Sequence, residues 1–88
     1  MATLLRADGT EEKLQDTELH TLQKAVGGYI ETVPLSVHRM LIVDEEGKLK
    51  KKPVNRQATA MLAAAWNTSH LVDIIVGDVV IADKDELK

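Results

Sequence analysis

Apolar residues change their period at Gly27-Gly28. Before the pair, Leu19, Leu22 and Val26 recur at three- and four-residue intervals, the spacing of one buried helix stripe, with Ala25 at its edge. After it, Tyr29-Ile30-Glu31-Thr32-Val33 alternates in the two-residue period of a strand, with Ile30 toward the core, until Pro34 removes a ladder donor. Gly27 is expected to close the helix in the left-handed conformation and Gly28 to let the chain reverse toward a sheet. Upstream, a first strand is expected around Thr3 to Ala7, then a turn at Asp8-Gly9-Thr10 and a helix cap at Asp16 or Thr17. Downstream, Met40-Leu41-Ile42-Val43 reads as a strand and Asp44-Glu45-Glu46-Gly47 as a tight turn. Lys48-Leu49-Lys50 then returns as a short paired strand. Asn55 suits the N-cap of a helix containing Ala58, Met61, Leu62, Ala65 and Trp66. Leu71 to Val76 and Val79 to Ile81 read as two strands joined by a type II′ turn at Gly77-Asp78; a bend at Gly77 in one long strand is the alternative.

This order, β-α-β-β-β-α-β-β, describes an α+β domain: a small mixed or antiparallel sheet with two helices covering one side. With 88 residues, the chain supports a single core over 1–88, frayed after residue 82. Leu, Val, Ile and Ala supply that core, since Tyr29 and Trp66 are the only aromatics, and the C-terminal Val/Ile-rich pair is expected to supply its centre.

Composition narrows the chemistry. Without Cys, disulfides and thiolate catalysis are excluded. Arg6 falls too early, and the first apolar run is too short, for an export signal; no stretch reaches bilayer length. A soluble cytoplasmic protein is therefore expected. A net charge of −3 gives no general attraction to phosphate, although Lys48, Lys50, Lys51, Lys52 and Arg56 form a local basic block. That block reads as a solvated loop face, with nucleic acid as the alternative partner, and no aromatic residue is interleaved for stacking. His20, His38 and His70 are too widely spaced for a compact metal motif. Glu45-Glu46 reads as a turn, and Asp44, Asp73 and Asp78 are the carboxylates that would have to converge on a cation. Neither Ser36 nor Ser69 sits in a nucleophile elbow, and there is no glycine-rich phosphate loop. The sequence thus calls for no cofactor, metal or catalytic set.

A close-approach ligand loop is the functional alternative to a purely structural Gly27-Gly28. In it, Gly27 and Gly28 permit access, Tyr29 forms a wall or a hydrogen bond, Glu31 recognises a polar substituent, and Asn55 or Arg56 contributes from the facing segment, with Asp78 a further candidate.

Four blocks, Leu22 to Glu31, Ile42 to Leu49, Pro53-Val54-Asn55-Arg56, and Asp73 to Ile81, together resemble the family called domain of unknown function 3846. Where the family often has Asn, this chain has Asp44; either side chain can cap local backbone. The resemblance carries no common substrate or catalytic set, and implies an accessory protein of phages or mobile elements. The resulting expectation is a noncatalytic interaction or small-ligand-binding protein with an unknown protein or small-molecule partner. The alternatives are a small hydrolase or nucleotide-modifying enzyme, and a nucleic-acid module using Lys48 to Arg56. A homodimer would give so small a chain extra core coverage.

Overall fold

The computed structural model describes residues 2–66 and 74–86. Its centre is a five-stranded, wholly antiparallel sheet built from β1 (Thr3–Leu5), β2 (Glu11–Lys13), β3 (Ile30–Pro34), β4 (Arg39–Asp44) and β5 (Val79–Asp83), in the spatial order β2-β1-β5-β4-β3. Helix α1 (Leu19–Val26) lies between β2 and β3 in the chain, and helix α2 (Arg56–Ala65) between β4 and β5; a single 3-10 turn, Lys84–Glu86, ends the described chain.

The two helices cover opposite faces of the sheet rather than one, and alternation along the strands shows why. On one face Leu4, Ile42, Val80 and Ala82 pack with Leu22 and Val26 of α1; on the other Leu5, Leu41, Val43 and Val79 pack with Ala58 and Leu62 of α2. A strand buried on both faces reads as a continuous apolar run, as in Leu41-Ile42-Val43 and Val79-Val80. Each such side chain contributes roughly 1.5–3 kcal/mol on burial, before conformational entropy is subtracted.

The expected C-terminal hairpin does not form. Strand β5 is the middle strand, paired with β1 from Thr3↔Ile81 to Leu5↔Val79 and with β4 from Arg39↔Asp83 to Ile42↔Val80. Both its hydrogen-bonding sides are taken, so the preceding segment has no place beside it. Val76 makes only an isolated bridge to Val54, and Gly77 N–H donates to Pro53 O at 2.7 Å. The first part of the strand expected there, residues 71–73, lies outside the described residues. The central packing role expected of Val79 and Val80 is realised, both being fully buried.

The short strand at Lys48-Leu49-Lys50 is also replaced, here by a turn. Lys50 N–H bonds Glu46 O and Lys52 N–H bonds Gly47 O, and Lys51 has φ 57°. Leu49 is exposed. Strand β2 had no apolar signal: Glu11-Glu12-Lys13 is fully exposed and held as an edge by pairing with β1, by an ion pair between Arg6 and Glu12, and by Gln57 donating to Glu11 at 2.8 Å. The turn expected at Asp8 forms, and it joins β1 to the unexpected β2. The Thr10 hydroxyl, and then its N–H, bond the Asp8 carboxylate and hold it below its usual pKa. Helix α1 begins later than expected, with Glu18 at the N-cap and Asp16 accepting from Glu18 N–H. Leu22 and Val26 are buried, whereas Leu19, in the first turn, is exposed.

Asn55 is the N-cap of α2, and it does more. Its Oδ1 accepts from Ala58 N–H at 3.1 Å, while Nδ2 donates to Leu5 O and Gly77 O, both at 2.9 Å. The side chain is buried and ties the helix start to the end of β1 and to the approach to β5. Asn55→Ala is expected to cost about 3 kcal/mol in urea denaturation, because two buried carbonyls lose a donor together with the cap. Asp caps helices as well as Asn does, so Asn55→Asp separates the roles. It is expected to be as damaging at neutral pH, where a carboxylate faces two carbonyl oxygens, and to recover part of the loss in acid.

Candidate functional site

Strand β4 ends on Asp44, whose side chain points toward the C-terminus of α1 and is nearly fully buried, at 6% exposure. Its Oδ2 receives Lys50 Nζ at 2.8 Å and Lys52 Nζ at 2.7 Å, and its Oδ1 accepts from Glu46 N–H at 2.9 Å. The same ammonium groups reach the end of α1: Lys50 Nζ donates to Gly27 O at 3.1 Å and Lys52 Nζ to Val26 O at 2.5 Å. Two cations thereby serve one buried carboxylate and two carbonyls that the helix leaves unpaired. Burial alone would raise the Asp44 pKa. The hydrogen bonds from Lys50, Lys52 and Glu46, with the charge of Lys52, outweigh it and hold the carboxyl well below the usual range.

The glycine pair fits this network. Gly27 has φ 86° and its N–H bonds Gln23 O at 2.8 Å, the left-handed helix ending expected from sequence. Gly28 lies against the ion cluster, where a Cβ would sit 2.7 Å from Lys50 Nζ and 2.8 Å from Asp44 Oδ1. Of the basic block, then, Lys50 and Lys52 are turned inward.

Beyond Asp44, on the α2 face, a cleft of about 130 Å³ is walled by Glu31 and Val33 of β3, Val43 of β4, Leu49 of the turn, and Ile74 and Ile75. Its rim also carries Glu45 and Lys48. This is close to the volume of a cavity that accepts benzene, and well below that of pockets enclosing a whole drug-sized ligand. A wider groove of about 500 Å³ separates the β1–β2 hairpin from α1, with Leu4, Leu14 and Ala25 among its lining. Its rim mixes Glu12 and Asp16 with Lys13 and Lys24, which favours no single ligand charge.

The residues singled out in the sequence are dispersed. Glu31 lines the cleft; Gly27 and Gly28 pack on the ion cluster; Tyr29 is exposed, its carbonyl accepting from Glu45 N–H at 2.8 Å. Asn55 is committed to three backbone bonds, Arg56 is exposed at the start of α2, and Asp78 accepts from Ala7 N–H at 3.0 Å. Sequence reasoning missed the apolar cleft wall, Val33, Val43, Leu49 and Ile74, because nothing local shows that the turn and Ile74 meet over β3. Among the described residues no group of three or more His, Asp or Glu is placed to hold a metal ion. Asp73, one of the three carboxylates considered, lies outside the described residues. Nor, among the described residues, is any helix long and apolar enough to cross a membrane.

Gly28→Ala is expected to lower stability by about 2 kcal/mol, measured by thermal or urea unfolding, since the methyl must displace a buried ionic contact. Asp44→Asn is expected to cost about 2 kcal/mol at neutral pH; both ammonium groups keep a path to water, so the loss stays below that of an orphaned, fully buried charge. The pH dependence has a definite sign. Because the folded-state pKa is depressed, the stabilisation by Asp44 is complete above the ordinary value of 3.8 and is lost as pH falls below it. The stability gap between wild type and Asp44→Asn is therefore expected to narrow below about pH 4 in an acid-unfolding series; a constant gap would show that the carboxylate charge is not what stabilises.

Among curated proteins and solved structures, none matches the chain. A family model does, over residues 1–87 and thus through every element described above, and the chain belongs to the family termed Domain of unknown function (DUF3846).

Proposed function

We propose that this protein is a noncatalytic binding domain, an accessory factor of a phage or mobile element acting in the cytoplasm, and that its contact point is the cleft between β3 and Ile74. The observation that carries this reading is the cleft's make-up. Val33, Val43, Leu49 and Ile74 give an apolar wall, and Glu31 on the edge strand gives one acidic recognition group. Among the described residues no nucleophile with an adjacent base lines it, and that lining favours capture over turnover. The nucleic-acid alternative draws less support, since Lys50 and Lys52 already serve Asp44 and the α1 carbonyls.

A benzene-sized probe with a cationic arm matches this lining. In a titration of isotope-labelled protein followed by NMR, benzylamine is expected to shift the amides of Glu31, Val33 and Val43, benzyl alcohol to do so more weakly, and benzoate to leave them unmoved. Glu31→Gln is expected to weaken benzylamine about threefold to tenfold, with unfolding unchanged, as for an exposed charge-assisted contact. Equal response to the amine and the carboxylate, or none to either, would sink the cleft as the contact point.

A further inference from the structure

Strand β3 is an edge, and the direction of its hydrogen bonds can be followed residue by residue. Tyr29 O accepts from Glu45 N–H, and Leu35 N–H donates to Arg39 O, so the odd-numbered positions bond inward to β4. The even-numbered positions, Ile30, Thr32 and Pro34, therefore aim their backbone groups outward. Pro34 has no N–H to offer, and its carbonyl accepts from Trp66 Nε1 at 3.0 Å. Ile30 and Thr32 are left, with two donors and two acceptors that meet no partner strand among the described residues. On the α2 side of this same edge stand Glu31 and Val33, the residues that wall the cleft.

A second copy of the chain fits this edge poorly. Antiparallel two-fold pairing centred on Ile30 sets Thr32 opposite Gly28, outside β3, whose N–H already bonds Gln23 O, and two further registers keep both Ile30 and Thr32 paired within β3. One sets Ile30 opposite Thr32 and so places Glu31 directly opposite its own symmetry mate, a like-charge pair. The other sets Thr32 opposite itself and Ile30 opposite Pro34, where a donor is missing and Trp66 already holds the carbonyl. A heterologous strand avoids both faults if a cation stands opposite Glu31.

We infer that β3 accepts an extended peptide as a sixth, antiparallel strand. The peptide bonds Ile30 and Thr32 through its backbone, sets a lysine or arginine opposite Glu31, and two residues earlier sets an apolar side chain opposite Val33, facing the cleft. This deepens the binding reading above and rests on it. Backbone bonds supply general affinity; the cleft, sized for one side chain, and the Glu31 carboxylate supply selection. Acidic groups dominate the rim, Glu31 and Glu45 against Lys48, and Glu31 is the one carried by the edge strand itself.

The test uses two synthetic peptides, acetyl-Thr-Leu-Thr-Lys-Thr-amide and its counterpart with Glu in place of Lys, titrated into labelled protein. Wild type is expected to bind the lysine peptide at least fivefold more tightly and to slow hydrogen exchange at the Ile30 and Thr32 amides. Glu31→Lys is expected to reverse the preference. Thr32→Pro, which removes an outward donor and leaves the inward bonds to β4 in place, is expected to lose both peptides. Equal binding of the two peptides, binding without protection at Ile30 and Thr32, or binding of neither would overturn the inference. If both peptides fail while benzylamine still reports on the cleft, strand addition falls and the small-ligand reading stands. A dimer in sedimentation that Thr32→Pro dissolves would assign the edge to self-association and equally overturn the inference.

Discussion

The carboxylate of Asp44 is the fixed point around which one end of this molecule is arranged. It closes the last rung of β4, lies out of water, and is charged, so it persists only if cations and donors are brought to it. Lys50 and Lys52 are brought by the turn that follows, and their reach to Val26 O and Gly27 O binds the end of α1 to the end of β4. The turn curls because its lysines are drawn back; it cannot also extend into the strand that Lys48-Leu49-Lys50 suggested. Gly28 is needed because the helix ending runs directly over the ion cluster. One charge thus sets the local helix position, the turn conformation and the residue type at a neighbouring site.

A sheet with a helix on each face makes a second demand. In a chain of 88 residues, burying both faces uses apolar side chains at successive positions in the inner strands, and it leaves little for the margins. The margins differ accordingly. Glu11-Glu12-Lys13 protects the β2 edge with charge on every residue. The β3 edge is guarded more selectively, by Pro34 with Trp66 at one end and by Glu31 in the middle. Those features hinder self-pairing without closing the edge to a strand of different charge.

Local patterns carried much of this in the sequence. The Leu22–Val26 stripe, the left-handed Gly27, the Asp8 turn, the Asn55 cap and the two separate strands β3 and β4, though not their pairing, each depend on neighbours within a few residues, where period and turn chemistry are decisive. Long-range pairing did not show. Leu71 to Ile81 looked like a hairpin because its two halves are both β-forming, but β5 bonds to β1 and β4, 78 and 40 positions away in the pairs Thr3↔Ile81 and Leu41↔Ile81. Strand β2 was invisible because an exposed edge strand has no apolar face to produce alternation. Asp44 read as an ordinary turn residue for a related reason: in sequence its lysines are six and eight positions away, and only the placement of α1 makes that spacing count. The candidate site was legible only at Glu31, whose alternation with Ile30 assigned it to the opposite face.

The buried and the exposed polar residues lead to one conclusion about where recognition can occur. Asn55 uses its oxygen and both its donors on backbone, and Asp44 takes two ammonium groups and an N–H, so a ligand that took over those contacts would undo what each residue holds. A ligand that displaced Lys52 from Asp44 would strand a charge and uncap α1 together, a loss that weak contacts would not offset. On the proposed binding role, recognition would therefore use groups whose partners the fold does not already supply. On the α2 side these meet along β3, where outward backbone of Ile30 and Thr32, the Glu31 carboxylate and an apolar cleft of side-chain size share one edge. The β3–β4 ladder holds β3 in register from Ile30↔Asp44 to Pro34↔Met40, so a strand added as proposed would meet backbone groups already aligned and would need little ordering of the edge.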